Sequence, residues 1–385
     1  MKRFLVCLSL LTACATPGQQ AAPSRKAAAP TVELVPVVPL PPFAPETSAA
    51  PSAPRKPVYT YGGIEVFGSR KVPKEKLLAL ALEGMPAPGS LLDESVDFGK
   101  LLSESKKRLT SAYAFAQCVY SVAVDLETNI LRVTVDLVDE GDEWRMRFSP
   151  APQGDVEDPE GLLAAWGKYV EAYWKLRNAG ELAIGFGGCK ALSCYGSFEH
   201  PEFAPLEPRF IEGVPRNVQA LVRVLREDGN ELERMHAVNL LAYLPSREQL
   251  VETLLPSVRD PYQGVRNEVL RVFGAVQKDL KRAVIPLETV LEALWFPTTP
   301  DRNKSAWALV RLVEAEGTVH REHILERAGE PLLEMVAMQA PVDREPAHQV
   351  LTLLAGRDLG EDGEVWRQWV RSVLGGGAAR RKAAR

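Results

Sequence analysis

NVQALVRVLREDGNELERMHAVNLLAYL (residues 217–244) and LVETLLPSVRDPYQGVRNEVLRVFGAV (residues 250–276) decide the fold of this chain, because they read as the same helical hairpin written twice. Placing Asp228 on Asp260 also puts Arg234 on Arg266, Val222 on Leu254, Leu240 on Val272 and Leu241 on Phe273. A fixed offset that keeps apolar positions in register is how stacked helix pairs look in sequence. A single pair cannot bury its apolar face and does so only against its neighbours. Within each copy the apolar residues recur at i, i+3, i+4 and i+7: Val218, Leu221, Val222 and Leu225, for example, or Val269, Val272, Phe273 and Val276.

Towards the C-terminus the pattern predicts a third hairpin from Ile285 to about Ala315, its turn lengthened by Pro297-Thr298-Thr299-Pro300. There Arg302-Asn303 repeats Arg266-Asn267. A weaker fourth hairpin spans about His320 to Leu354, and a last helix holds Trp366, Trp369, Val370 and Val373. His320 and His323 share a helix face, but no acidic partner frames a zincin-like motif, so a solvated face is the reading. Residues 209–374 are thus an all-α solenoid, and 375–385 a disordered basic tail.

Upstream, residues 149–208 form a bridging helix and loop segment. Asp158 to Leu182 reads as a helix whose Trp166, Tyr169, Tyr173 and Trp174 pack between the flanking domains rather than line a ligand box. The glycines at 185, 187 and 188 lack the GxGxxG frame of a phosphate loop. Cys189 and Cys194 have three open fates: a local disulfide, free thiols, or metal ligation with His200. A closed zinc site wants four ligands, and no second knuckle follows, so no metal is assigned. Export to an oxidising compartment favours the disulfide. Glu199-His200 has acid–base chemistry, but adjacent side chains seldom converge on one atom.

Residues 58–148 alternate differently. A strand ending at Gly68, a helix from Pro73 to Leu82, a helix of about Asp93 to Tyr113, and a final pair of strands give the order β-α-α-β-β. The first of that pair shows Tyr120, Val122, Val124 and Leu126, the second Leu131, Val133, Val135 and Leu137, with Glu127-Thr128-Asn129 between them. Before this unit, residues 14–57 are a Pro/Ala-rich linker that cannot form a core and reads as an extended or disordered stalk. Its PVVPLPPFAP also has the composition of a polyproline ligand.

Residues 1–13 have the form of an export signal: Lys2 and Arg3, then the apolar run Phe4 to Leu11. Leu11-Thr12-Ala13-Cys14 resembles a bacterial lipobox, which implies cleavage before Cys14 and its lipidation; a soluble export signal cut after Ala15 is the alternative. Ala15 in place of Asp points, by that family's sorting rule, to the outer membrane more than the inner, with the domains in the periplasm.

Two more resemblances follow. IEVFGSRKVPKEKL and RLTSAYAFAQCVYSVAVDL, in their β-α-α-β-β order, resemble a POTRA domain, a periplasmic module whose members take partner strands along a sheet edge. That implies an edge at Tyr120, Val122, Val124 and Leu126, but no train of barrel strands follows, so pore activity is not implied. Asp260-Pro261 followed by Val265-Arg266 resembles the turn of HEAT repeats, in which the arginine pairs with an aspartate of a neighbouring repeat. Asp228, Arg234, Asp260, Arg266 and Arg302 are therefore expected to form a ladder, although Gly229 stands where the motif has proline.

With 46 basic against 50 acidic residues the chain has a net charge of −4, which argues against nucleic acid as a partner. The expectation is a multidomain, non-catalytic, lipid-anchored envelope scaffold: a small α+β domain, then a HEAT-like solenoid, binding other envelope proteins without a cofactor or small-molecule substrate. The alternative is an envelope enzyme or metal protein centred on Cys189, Cys194 and His200.

Overall fold

A computed structural model of the chain describes residues 5–10, 58–93, 95–125, 128–179, 181–182 and 188–383. Cys14, the proline-rich linker and Leu126 lie outside these residues, as do Gly185 and Gly187. The first described segment is a strand, β1 (Leu5–Leu10). Then come β2 (Tyr59–Phe67), α1 (Lys74–Leu82), β3 (Leu91–Leu92), α2 (Phe98–Ala112), β4 (Phe115–Asp125) and β5 (Ile130–Asp139). The sheet order is β1-β4-β5-β2-β3, with β2 and β5 parallel and the other neighbours antiparallel.

One face of the sheet follows the alternation in the sequence. Tyr61, Ile64, Val66, Tyr120, Val122, Val124, Leu131, Val133, Val135 and Leu137 form a core with Leu77, Ala81, Leu102 and Leu109 of α1 and α2. Tyr120 reaches through this core to the Ser105 hydroxyl, 2.7 Å away, and Ser105 donates to the carbonyl of Ala81. Burial pushes the Tyr120 phenol well above its ordinary pKa. Helix α2 begins at Phe98 rather than near Asp93, because Asp97 caps it by accepting from the Lys100 amide, while Asp93 closes a turn onto Ser95.

The helical region comprises α3 (Leu162–Asn178), α4 (Leu206–Arg216), α5 (Val218–Glu227), α6 (Glu231–Leu241), α7 (Arg247–Leu254), α8 (Gln263–Gln277), α9 (Leu287–Ala293), α10 (Thr299–Glu316), α11 (Arg321–Val336), α12 (Pro341–Ala355) and α13 (Gly363–Ala383). The pairs α5/α6, α7/α8, α9/α10 and α11/α12 are stacked hairpins, and their second members α6, α8, α10 and α12 form one continuous row. Asn230 and Ser246 cap α6 and α7, while Pro300 and Pro341 sit in the first turns of α10 and α12, where a missing N–H costs nothing. The tail expected to be disordered from Gly375 instead continues α13 to Ala383, since its Ala, Arg and Lys residues are strong helix formers.

Two features of the assembly add to the sequence reading. The aromatic residues of segment 149–208 pack at the near end of the helical stack. Trp166 packs on Phe210 and Tyr243, and Tyr169 on Phe198 and Phe203, in the same core as α5 and α6. The α+β unit and the helical region that follows it are also in contact. The second face of the sheet packs against the third and fourth hairpins, so Ser121, Ala123, Asp125, Thr134 and Asp136 are buried as fully as their apolar neighbours. Ala123 meets Ala340 and Val342 at the start of α12, and Phe67 at the end of β2 belongs to the helical core.

Candidate functional site

The ladder runs along the N-terminal ends of the second helices. Arg234 donates from Nε and Nη2 to both oxygens of Asp260, at 2.9 and 3.0 Å. Arg266 does the same to Asp301, at 3.0 and 2.8 Å. Each arginine also donates Nη1 to the carbonyl of its own turn, Arg234 to Asp228 and Arg266 to Asp260. These pairs are at most 5% exposed, and such forked, fully paired geometry is what a buried ion pair needs to offset its desolvation. The Arg266 guanidinium lies 3.9 Å from the centroid of the Phe148 ring.

At the near end no arginine approaches Asp228 from an earlier repeat among the described residues. A crossing strand-like segment takes its place: Val156 and Asn230 donate their amides to the Asp228 carboxylate. The same crossing accounts for Gly229. Its amide donates to the Gly154 carbonyl at 2.7 Å, a bond that the proline of the motif lacks the N–H to make. A side chain there would also crowd Gly154.

At the far end the ladder runs into the sheet. Arg302 lies between two buried carboxylates, with Nη2 2.8 Å from Asp136 of β5 and Nε 3.4 Å from Asp343 of α12. Its guanidinium sits 3.5 Å from the centroid of Phe67. Asp136 also accepts from the Ser121 hydroxyl at 2.5 Å and from the Thr299 amide at 3.1 Å. The Arg302 Nε and Asp343 Oδ1 atoms face each other without completing a hydrogen bond. Burial raises the Asp343 carboxyl to about 7, with Arg302 opposing the shift and Asp136 and Glu65 adding to it. Burial lowers the Arg302 pKa, but the two aspartates outweigh it and the net shift is upward.

Around this rung the seam is stitched by backbone groups. Glu65 accepts the amides of Gln339 and Ala340, at 2.6 and 2.8 Å, and Glu334 accepts the amide of Gly68 at 2.8 Å. Arg145 donates to the carbonyls of Gly68, Leu137 and Trp295, so one side chain ties β2, β5 and the third hairpin together. Its burial lowers it to about 10. Gly68 has φ +96° and no room for a Cβ beside the Leu137 carbonyl, which makes glycine obligatory at this corner.

The predicted edge is β4, and β1 lies along its outer side. Leu5 pairs with Asp125, Val6 with Val124, Cys7 with Ala123, Leu8 with Val122, Ser9 with Ser121 and Leu10 with Tyr120, all antiparallel. Cys189 and Cys194 are joined by a disulfide, with Cα atoms 6.6 Å apart. His200 packs on Phe203 and accepts from the Glu202 amide. Among the described residues no three His, Cys, Asp or Glu side chains form a group able to hold a metal ion. His323 pairs with Glu288 and His320 with Glu316, both at the surface. Cys118 is buried on β4.

Of the ladder residues expected, Arg234, Arg266 and Arg302 each meet an aspartate. Three partners escaped the sequence reading: Asp301, Asp343 and Asp136. The signal for the first two is an aspartate just after the first-turn proline, in Thr299-Pro300-Asp301 and Pro341-Val342-Asp343. Nothing local to β5 marks Asp136 beyond an acidic residue in an apolar strand. Compared with protein-family models, with curated proteins and with solved structures, the chain matches none.

Proposed function

We propose that this chain is a non-catalytic envelope scaffold, tethered through a lipidated Cys14, that gathers partner proteins on a POTRA-like sheet edge and a HEAT-like helical surface. The observation that supports it most is the pairing of β1 with Tyr120–Asp125. A segment separated from β4 by the whole linker adds to the sheet as an antiparallel strand, which is the geometry strand addition uses. Cleavage before Cys14 removes β1 with the leader and leaves the outer backbone groups of β4 for a partner strand. The forked ladder supports the second half of the reading, because it keeps the helical row in fixed register.

The test is crosslinking from membranes, comparing the intact protein with Cys14→Ala. Membrane retention and a set of crosslinked proteins, both lost in the variant, are the expected result. A variant that stays in the membrane, or an intact protein that crosslinks to nothing, overturns the reading.

A further inference from the structure

The outer side of β4 is not alike on its two faces. Cross-strand partners share a face of a sheet, and the faces alternate along the strand. Val6, Leu8 and Leu10 of β1 stand in register with Val124, Val122 and Tyr120, while Cys7 and Ser9 stand in register with Ala123 and Ser121. The first row prolongs the core that Tyr120, Val122 and Val124 build with α1 and α2, where a large apolar side chain is stabilised by burial. Over the second row lies the start of α12. Ala123 meets Ala340 and Val342, all three at most 5% exposed, and α12 comes up against β1 as well. This wall is held from three places. Glu65 of β2 takes the amides of Gln339 and Ala340, Asn303 of α10 donates to the Val342 carbonyl at 2.6 Å, and Arg302 lies beside Asp343. A helix start held in this way has little freedom to retreat, so a bulky side chain opposite Ala123 overpacks the site. Slipping the added strand by one residue exchanges its two faces and puts its large residues under α12.

We propose that β4 selects an antiparallel partner strand that alternates large apolar with small residues, with a small one opposite Ala123, and that Ala340 and Val342 enforce this register. The segment paired there shows the pattern: LVCLSL has Val6, Leu8 and Leu10 in the large row and Cys7 and Ser9 in the small one. Leu5 stands at the end of the pairing, opposite Asp125 and not opposite the residue that α12 covers. The proposal rests on reading β4 as an edge for strand addition, and it adds which strands that edge accepts and which residues reject the others.

The test uses the full-length chain carrying Leu8→Asp, which sets a charge against the apolar row and frees the edge from β1. Three fluorescein-labelled hexapeptides are followed by anisotropy: LVALSL, LVWLSL with the bulk opposite Ala123, and LVAWSL with it opposite Val122. LVALSL is expected to bind, LVWLSL about tenfold more weakly, and LVAWSL closer to the first. Equal binding of LVWLSL and LVAWSL overturns the one-sided wall and leaves strand addition standing. Binding by none of the three overturns strand addition, and this proposal with it. A second measurement needs no peptide. In the otherwise unaltered chain, Cys7→Trp is expected to speed hydrogen exchange of the β4 amides bonded towards β1 by about tenfold, while Cys7→Ala leaves it unchanged. Exchange that is the same in Cys7→Trp and wild type overturns the wall.

Discussion

The guanidinium of Arg266 sits between Phe148 on one side and the Asp301 carboxylate on the other, with the Asp260 and Pro261 carbonyls taking its remaining donor. Removing it leaves Asp301 buried with its charge uncompensated, so Arg266→Ala is expected to lower unfolding stability by about 3–5 kcal/mol in denaturant titration. Lysine restores the charge but not the fork and recovers only part of that loss. Asp343 behaves differently. Its folded pKa of about 7 lies above its unfolded value of 3.8, so the folded chain holds a proton that the unfolded chain has released between those limits. Stability from this group is therefore full below the lower value and is lost as pH rises through the upper one, by about 1.4 kcal/mol per pH unit at most. Asp343→Asn is expected to flatten the pH dependence of Tm between pH 5 and 8. A wild type and variant whose difference in Tm stays constant over that range would remove Asp343 as its source. Asp136, Glu65 and Glu334 face the same cluster and stay in place in the variant.

For single elements, β4 offers the clearest measurement. With β1 alongside, its amides between Tyr120 and Asp125 are bonded towards β5 and β1 in alternation. In a chain beginning at residue 14, every second amide of this stretch is expected to exchange with solvent faster by orders of magnitude, while the alternate set bonded to β5 stays protected. The disulfide Cys189–Cys194 closes a loop of a few residues, so its reduction should cost only about 2 kcal/mol by loop-closure entropy. Elements of this kind were legible where one period governs them. Val218 to Leu225 and Val269 to Val276 announce helices, and Leu131 to Leu137 a strand. Alternation along β4 gave the strand but hid the second burial, because Ser121 and Asp125 look like a solvent face until α10 and α12 are packed on it.

In the whole molecule, that hidden face joins the sheet to the helices. Repetition in residues 217–276 was enough to reveal the stack and the arginines of its ladder. It was silent on where the sheet docks, because Arg302 finds Asp136 through the tertiary fold and not through any spacing along the chain. With Phe67 in the helical core and Asp136 completing the last rung, residues 58–148 and 149–385 are expected to melt in one transition in the full chain. Residues 58–148 made alone should expose Phe67 and Asp136, bind a hydrophobic dye and unfold at lower denaturant than the intact protein. Two well-separated transitions in calorimetry of the full chain would argue against the seam.

The parallel pairing of β2 with β5 has a mechanical side. A pull applied at residue 58 reaches the sheet at the start of β2, while a load passed along the backbone from residue 140 reaches it at the far end of β5. Their hydrogen bonds are then strained along the strand axes, all together, instead of parting in sequence like a zip. Optical tweezers gripping residue 58 and the last helix should therefore meet a high, abrupt rupture force, and gripping the two ends of the β4–β5 hairpin a low, gradual one.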